Sequence, residues 1–107
     1  MPDELIYKIL RASEWQDAQA QDAVTGSADD LRDGFIHLST RAQVAGTLAQ
    51  HFAGETGLVV LEIAAARLGE GLKWELSRGG ALFPHFYRAL PLDAMVRILS
   101  SPLPDDL

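Results

Sequence analysis

The sequence predicts an α+β fold built on a mixed or antiparallel sheet with two helices. Three observations carry this expectation. The run "LVVLEIAA" is apolar enough for a central strand, "LKWEL" alternates strictly and follows it with no helix between, and an apolar stripe recurs at helical spacing from Val44 to Phe52. Regular βαβ winding needs a helix between successive strands; the order here is strand, helix, strand, helix, strand, strand, long loop, strand. At 107 residues, one core serves the whole chain, so a single domain over 1–107 is expected.

Taken in order, "LIYKILR" is rich in β-formers, and alternation puts Ile6, Lys8 and Leu10 on one face of a first strand. Ser13 with Gln16 has capping-box spacing and predicts a helix over "EWQDAQAQDAV", with a thin stripe of Trp15, Ala18 and Val24 that suits a surface position. "SADDLRDG" reads as a polar turn or short helix. "FIHLS" is a second strand, with Phe35, His37 and Ser39 on one face and Ile36 and Leu38 on the other. Thr40 with Gln43 forms another capping box and opens a helix whose core face is Val44, Ala45, Leu48, Ala49 and Phe52.

Gly54 and Gly57 mark a turn before "LVVLEIAA", whose expected neighbour is the first strand. "LKWEL" then places Leu72, Trp74 and Leu76 on one face and Lys73, Glu75 and Ser77 on the other. "SRGGALFPHFYRALPLDA" is read as an irregular, aromatic segment with a short helical turn near Pro91, followed by a last strand "MVRIL" and a frayed tail "SSPLPDDL".

Composition narrows the function. The absence of cysteine excludes disulfides, thiolate metal sites and a cysteine nucleophile. A net charge of −6 is opposite to the basic footprint of a nucleic-acid or anionic-membrane binder, and no apolar run approaches the ~20 residues of a membrane span. "MPDELIYKIL" has acidic residues before its apolar stretch and no basic leader, so a cytoplasmic location is expected. No Walker loop, GxGxxG or GxSxG occurs, and the three histidines lack any recognised zinc spacing, so no metal site is expected.

Candidate chemistry falls on three places. His37, Ser39 and Thr40 stand where a strand runs into a helix N-terminus, a geometry that can hold a phosphate or carboxylate; the alternative is a capped helix start beside a core histidine. Glu75 faces either a cleft or bulk solvent, and Arg78 with Gly79 and Gly80 follows in a loop that a ligand could approach closely, or that is a simple turn. His85, among Phe83, Pro84, Phe86 and Tyr87, either lines a pocket or belongs to an aromatic plug. His51 is expected on the apolar face near the end of its helix.

Taken together, "IYKIL", "GFIHLSTRAQV", "LVVLEI" and "LKWELSRGGALFPHFYRALPLDAMV" resemble a bacterial family known only as domain of unknown function nine-five-two, over about Leu5 to Leu99. The resemblance implies a small cytosolic protein whose fold is similar to the ADP-ribosyltransferase-like α+β fold. By that analogy NAD is the possible cofactor, His37, Ser39 and Thr40 match the ligand-binding residues and Glu75 the catalytic one, acting at the ribose. With the reading of the residues added, the expected site has Glu75 and His37 for any catalysis and Ser39, Thr40, Arg78 and His85 for binding a ligand. The first strand departs from the pattern, carrying Lys8 where the family often has a histidine. Two functions follow as expectations: a cleft for a nucleotide or another phosphate-bearing small molecule, extending to an ADP-ribosyltransferase-like transferase, or a non-enzymatic protein-interaction module that uses the aromatic loop 83–87.

Overall fold

The computed structural model describes residues 4–100. In chain order the elements are β1 (Leu5–Leu10), α1 (Ala12–Gln21), β2 (Ala23–Val24), α2 (Ala28–Asp33), β3 (Ile36–His37), β4 (Ser39–Thr40), α3 (Arg41–His51), β5 (Val59–Ala64), β6 (Leu72–Leu76), β7 (Leu82–Phe86), β8 (Leu90–Pro91) and β9 (Met95–Ser100). This is an α+β fold with antiparallel sheets and three α-helices, one more than expected. The additional helix is α2, in the segment read as a turn or short helix. Ser27 caps it, accepting from the Asp30 N–H at 3.2 Å while the Asp30 carboxylate accepts from the Ser27 N–H at 2.9 Å. Gly34 ends it in the left-handed conformation, donating its N–H to the Asp30 carbonyl.

The first sheet has the order β4-β1-β5-β9, so "LVVLEIAA" does supply a central strand with β1 as its neighbour. Both faces of β1 and β5 are covered, which is why β5 shows no polar alternation. One face carries Ile6, Leu10, Leu61 and Ile63 against Ile36, Leu38 and Phe86. The other carries Tyr7, Ile9 and Val60 against Val44, with Leu48 and Phe52 of the α3 side packed alongside. Ala45 and Ala49 are exposed, so the core face of α3 is narrower than its sequence suggests. The first helix starts at Ala12 after an Arg11 cap, rather than at Glu14 after a Ser13 cap, because the Arg11 N–H finds the Glu14 carboxylate at 2.8 Å.

A second sheet has the order β3-β7-β6. "FIHLS", expected as one strand, is divided between the two sheets. Ile36 and His37 pair with β7, Ser39 and Thr40 pair with β1, and Leu38 between them donates its N–H to the Pro84 carbonyl at 3.0 Å. The expected faces nevertheless hold, with Ile36 and Leu38 in the core. The segment 83–87, read as a loop, is largely strand β7; Phe83, His85 and Phe86 are buried and only Tyr87 is exposed. The rings of Phe83, His85 and Phe86 fill the fold's own interior, which leaves Tyr87 as the exposed aromatic of this segment. Ser100 still belongs to β9, and the rest of the tail lies outside the described residues. Among the described residues no helix is long and apolar enough to cross a membrane.

Candidate functional site

The division of "FIHLS" creates a cleft. Because β4 pairs with β1 only at Ile6 and Tyr7, the edge of β1 beyond Tyr7 is left without a strand partner on that side. Lys8 and Ile9 there floor a cleft of about 570 Å³, between α2 on one side and the C-terminal half of α3 on the other. That volume falls within the roughly 300–1,000 Å³ of small-molecule sites. His37, Ser39 and His85 all line it, and so does His51, which is exposed at the end of α3 rather than packed on its apolar face.

His37 and His85 meet because they are cross-strand partners in the β3–β7 ladder. Their ring centroids are 5.7 Å apart, and Phe35 stacks on His85 at 4.0 Å while lying 4.6 Å from His37. The two imidazoles are held differently. His37 Nδ1 lies 2.5 Å from Asp30 Oδ1, and Nε2 lies 3.0 Å from Asp33 Oδ2. Both nitrogens can donate at once only when the ring carries two protons. His85, nearly fully buried, has Nδ1 2.8 Å from Glu75 Oε1, an oxygen that also accepts from the Tyr87 hydroxyl at 2.6 Å. A carboxylate on Nδ1 keeps the proton there in the neutral ring and leaves Nε2 as the nitrogen with acceptor character. The Tyr87 and His85 hydrogen bonds hold the Glu75 carboxyl below its ordinary range, and Glu75 in turn pushes the Tyr87 hydroxyl up.

Asp30 is the residue that reasoning from the sequence missed. It is 2 % exposed, yet ionised at the centre of a network: Lys8 Nζ donates to Oδ2 at 2.7 Å and to the His37 carbonyl at 3.1 Å, and the His37 N–H donates to Oδ1 at 3.1 Å. Burial alone would raise the Asp30 carboxyl. The His37 contact, the Lys8 charge and bond, and the Ser27 N–H together outweigh it and hold Asp30 well below the usual carboxylate range. Two signals pointed there: Ser27 and Asp30 at capping-box spacing, and an unexplained lysine on the apolar face of β1. Gly26 makes room, since a Cβ there would stand 2.8 Å from the Asp30 Cβ.

The other expected site residues divide. The Ser39 hydroxyl lies 3.0 Å from the Thr47 hydroxyl, and both residues line the cleft. Thr40 stands outside it as the residue capping α3, its N–H donating to Gln43 Oε1 at 2.9 Å. Glu75 also stands outside the lining, behind His85. Arg78 falls in the turn Arg78–Gly80, and its side chain is outside the described part of the structure. Among the described residues no group of three His, Asp or Glu is disposed to hold a metal ion.

The profile of the family described as "Protein of unknown function (DUF952)" matches residues 9–98. The chain belongs to that family. It is similar to the protein CC0527 of Caulobacter crescentus, whose crystal structure shares 51% identity and a TM-score of 0.85, covering 91% of this chain and 89% of that one. The solution structure of CC0527 shares 50% identity with a TM-score of 0.78, covering 94% and 91% of the two chains. No curated protein matches. The family assignment agrees with the resemblance drawn from "GFIHLST" and "LFPHFY" and carries no activity with it.

Proposed function

We propose that the cleft beside β1 binds a nucleotide or another phosphate-bearing small molecule, with His85 as the side chain that meets it. What supports the reading is the convergence of His37, Ser39 and His85 on one cleft of about 570 Å³, with Glu75 fixed to the far nitrogen of His85. Nε2 of His85 can accept a proton from a ligand hydroxyl, or donate to a phosphoryl oxygen once protonated, while the hydroxyls of Ser39 and Thr47 and the amide of Gln50 offer further hydrogen bonds along the same lining.

In the transferase form of this reading, suggested by analogy with ADP-ribosyltransferase-like folds, NAD is the ligand and a hydroxyl is the acceptor. With NAD bound, the acceptor oxygen would form its bond to the ribose C1′ as the C1′–N bond breaks and nicotinamide leaves as the neutral amide; His85 would take the acceptor's proton, and Glu75 would orient the imidazole and stabilise its charge. This shifts the direct role first expected of Glu75 onto His85 and gives His37, held at both nitrogens, the task of shaping the cleft. Amide shifts followed while titrating NAD, ADP-ribose, ATP and inorganic phosphate test the reading. Shifts at Ser39, Ser77 and His85 are expected with at least one of them. Silence at these residues at millimolar concentrations of all four overturns it.

A further inference from the structure

Strand β6 is the outer edge of the three-stranded sheet. Its backbone orientation can be read from the ladder. Ser77 donates its N–H to the Ala81 carbonyl and Tyr87 donates to the Gly71 carbonyl, so residues 71 and 77 turn their polar groups toward the β7 side, and residues 73 and 75 follow by alternation. Pro84, opposite Trp74, has no N–H to exchange. The N–H and C=O groups of Leu72, Trp74 and Leu76 therefore point away from the sheet, into solvent. The side chains there are apolar as well: Trp74 is 38 % exposed, Leu76 73 %, and Leu82, opposite Leu76, 52 %. A bare edge that is also apolar is a template for another strand.

The sequence of β6 says which strand. Leu72, Lys73, Trp74, Glu75 and Leu76 form a pattern that is apolar at both ends and centre and carries opposite charges at the two positions between. We infer that β6 pairs antiparallel with β6 of a second copy of this chain, across a two-fold axis at Trp74. In that register Trp74 lies opposite the partner's Trp74 and Leu72 opposite the partner's Leu76. The outward backbone groups make two bonds at each of three pairs, about six in all. Lys73 falls opposite the partner's Glu75, and Glu75 opposite the partner's Lys73, so both cross-strand charge pairs are attractive. Centring the axis on Lys73 or on Glu75 would instead set like charges face to face, so the charges specify the register.

The edge of the first sheet offers no such match. Strand β9 exposes Val96 and Ile98, but an axis between them sets Arg97 against its own copy. The inferred dimer also reaches the cleft without depending on what binds there. Glu75 Oε1 holds His85 and Tyr87, and Oε2 is left to meet the partner's Lys73.

Sedimentation velocity from about 1 μM to about 1 mM, a range spanning weak to moderate affinities, tests the inference on the full chain. The wild-type chain is expected to shift from monomer to dimer with concentration. Lys73→Glu and Glu75→Lys, each checked for folding by circular dichroism, are expected to remain monomers alone and to form a heterodimer when mixed, because mixing restores both opposite-charge pairs. Trp74→Pro, which removes the central outward N–H and leaves the ladder to β7 intact, is expected to be monomeric too. A wild-type chain that stays monomeric throughout, leaving the edge to a strand of some other protein, overturns the inference. So do single-charge variants that dimerise as the wild type does.

Discussion

Two histidines sit side by side in one cleft and are anchored in opposite ways. His37 is clamped at both ring nitrogens by Asp30 and Asp33, and Asp30 is itself buried with Lys8. His85 is held at one nitrogen by Glu75, a carboxylate whose side chain is 38 % exposed and whose other contact is a surface tyrosine. The difference separates architecture from chemistry. A buried ion pair locked into a helix cap fixes where α2 sits and so fixes one wall of the cleft. An imidazole held from behind by a single carboxylate has its tautomer already chosen and its other nitrogen outside that bond, which is what the proposed ligand-binding role requires.

The largest expected effect comes from breaking the architectural end. Asp30→Ala leaves the Lys8 ammonium buried without its partner and is expected to cost about 3–5 kcal/mol in urea unfolding. Replacing both, as Lys8→Met with Asp30→Leu, is expected to recover much of that loss, because no unpaired charge is left inside. Gly26→Ala follows: with φ at +119° and a Cβ 2.8 Å from Asp30, it is expected to lose about 1–2 kcal/mol or more.

Acid is a third way to break the same end. Asp30 has a folded pKa depressed below its unfolded value, so the unfolded chain binds the extra proton and stability rises with pH between the two values. The stabilisation is complete above about pH 4, near the ordinary aspartate value, and is lost as pH falls toward the lower folded value. Unfolding midpoints measured from pH 5 downward should show that slope, and the Lys8→Met, Asp30→Leu chain should show less of it.

The other end is expected to respond in function instead. Glu75→Gln should move the unfolding midpoint little, because its side chain is partly exposed and an amide oxygen can still accept from His85, yet it should alter the tautomer balance of His85 seen in imidazole ¹⁵N shifts. Tyr87→Phe removes only the second hydrogen bond to Glu75, and the smallest change in those same shifts is expected from it.

What the sequence made legible follows from how local its signals are. The central strand, the alternation in "LKWEL" and the Thr40–Gln43 cap depend on neighbours within a few residues, and all three appear in the fold. The meeting of His37 with His85 depends on a ladder between residues far apart in the chain, and no periodicity reports a ladder. The split of "FIHLS" was hidden for the same reason. A strand that changes sheets keeps its alternation throughout, so His37 and Ser39 look alike although their backbones pair with different partners. Lys8 stood out as a charge on an apolar face, whereas Asp30 looked like any acid in a polar turn, and only the fold joins them.

The division of labour between the two histidines is tested most directly by the imidazole ¹H–¹⁵N spectrum of the wild-type chain during titration with NAD, ADP-ribose, ATP and inorganic phosphate. The proposed ligand-binding role predicts that His85 Nε2 moves progressively with at least one of these while the His37 resonances stay in place. A silent His85 at millimolar ligand, whether or not His37 responds, would contradict it.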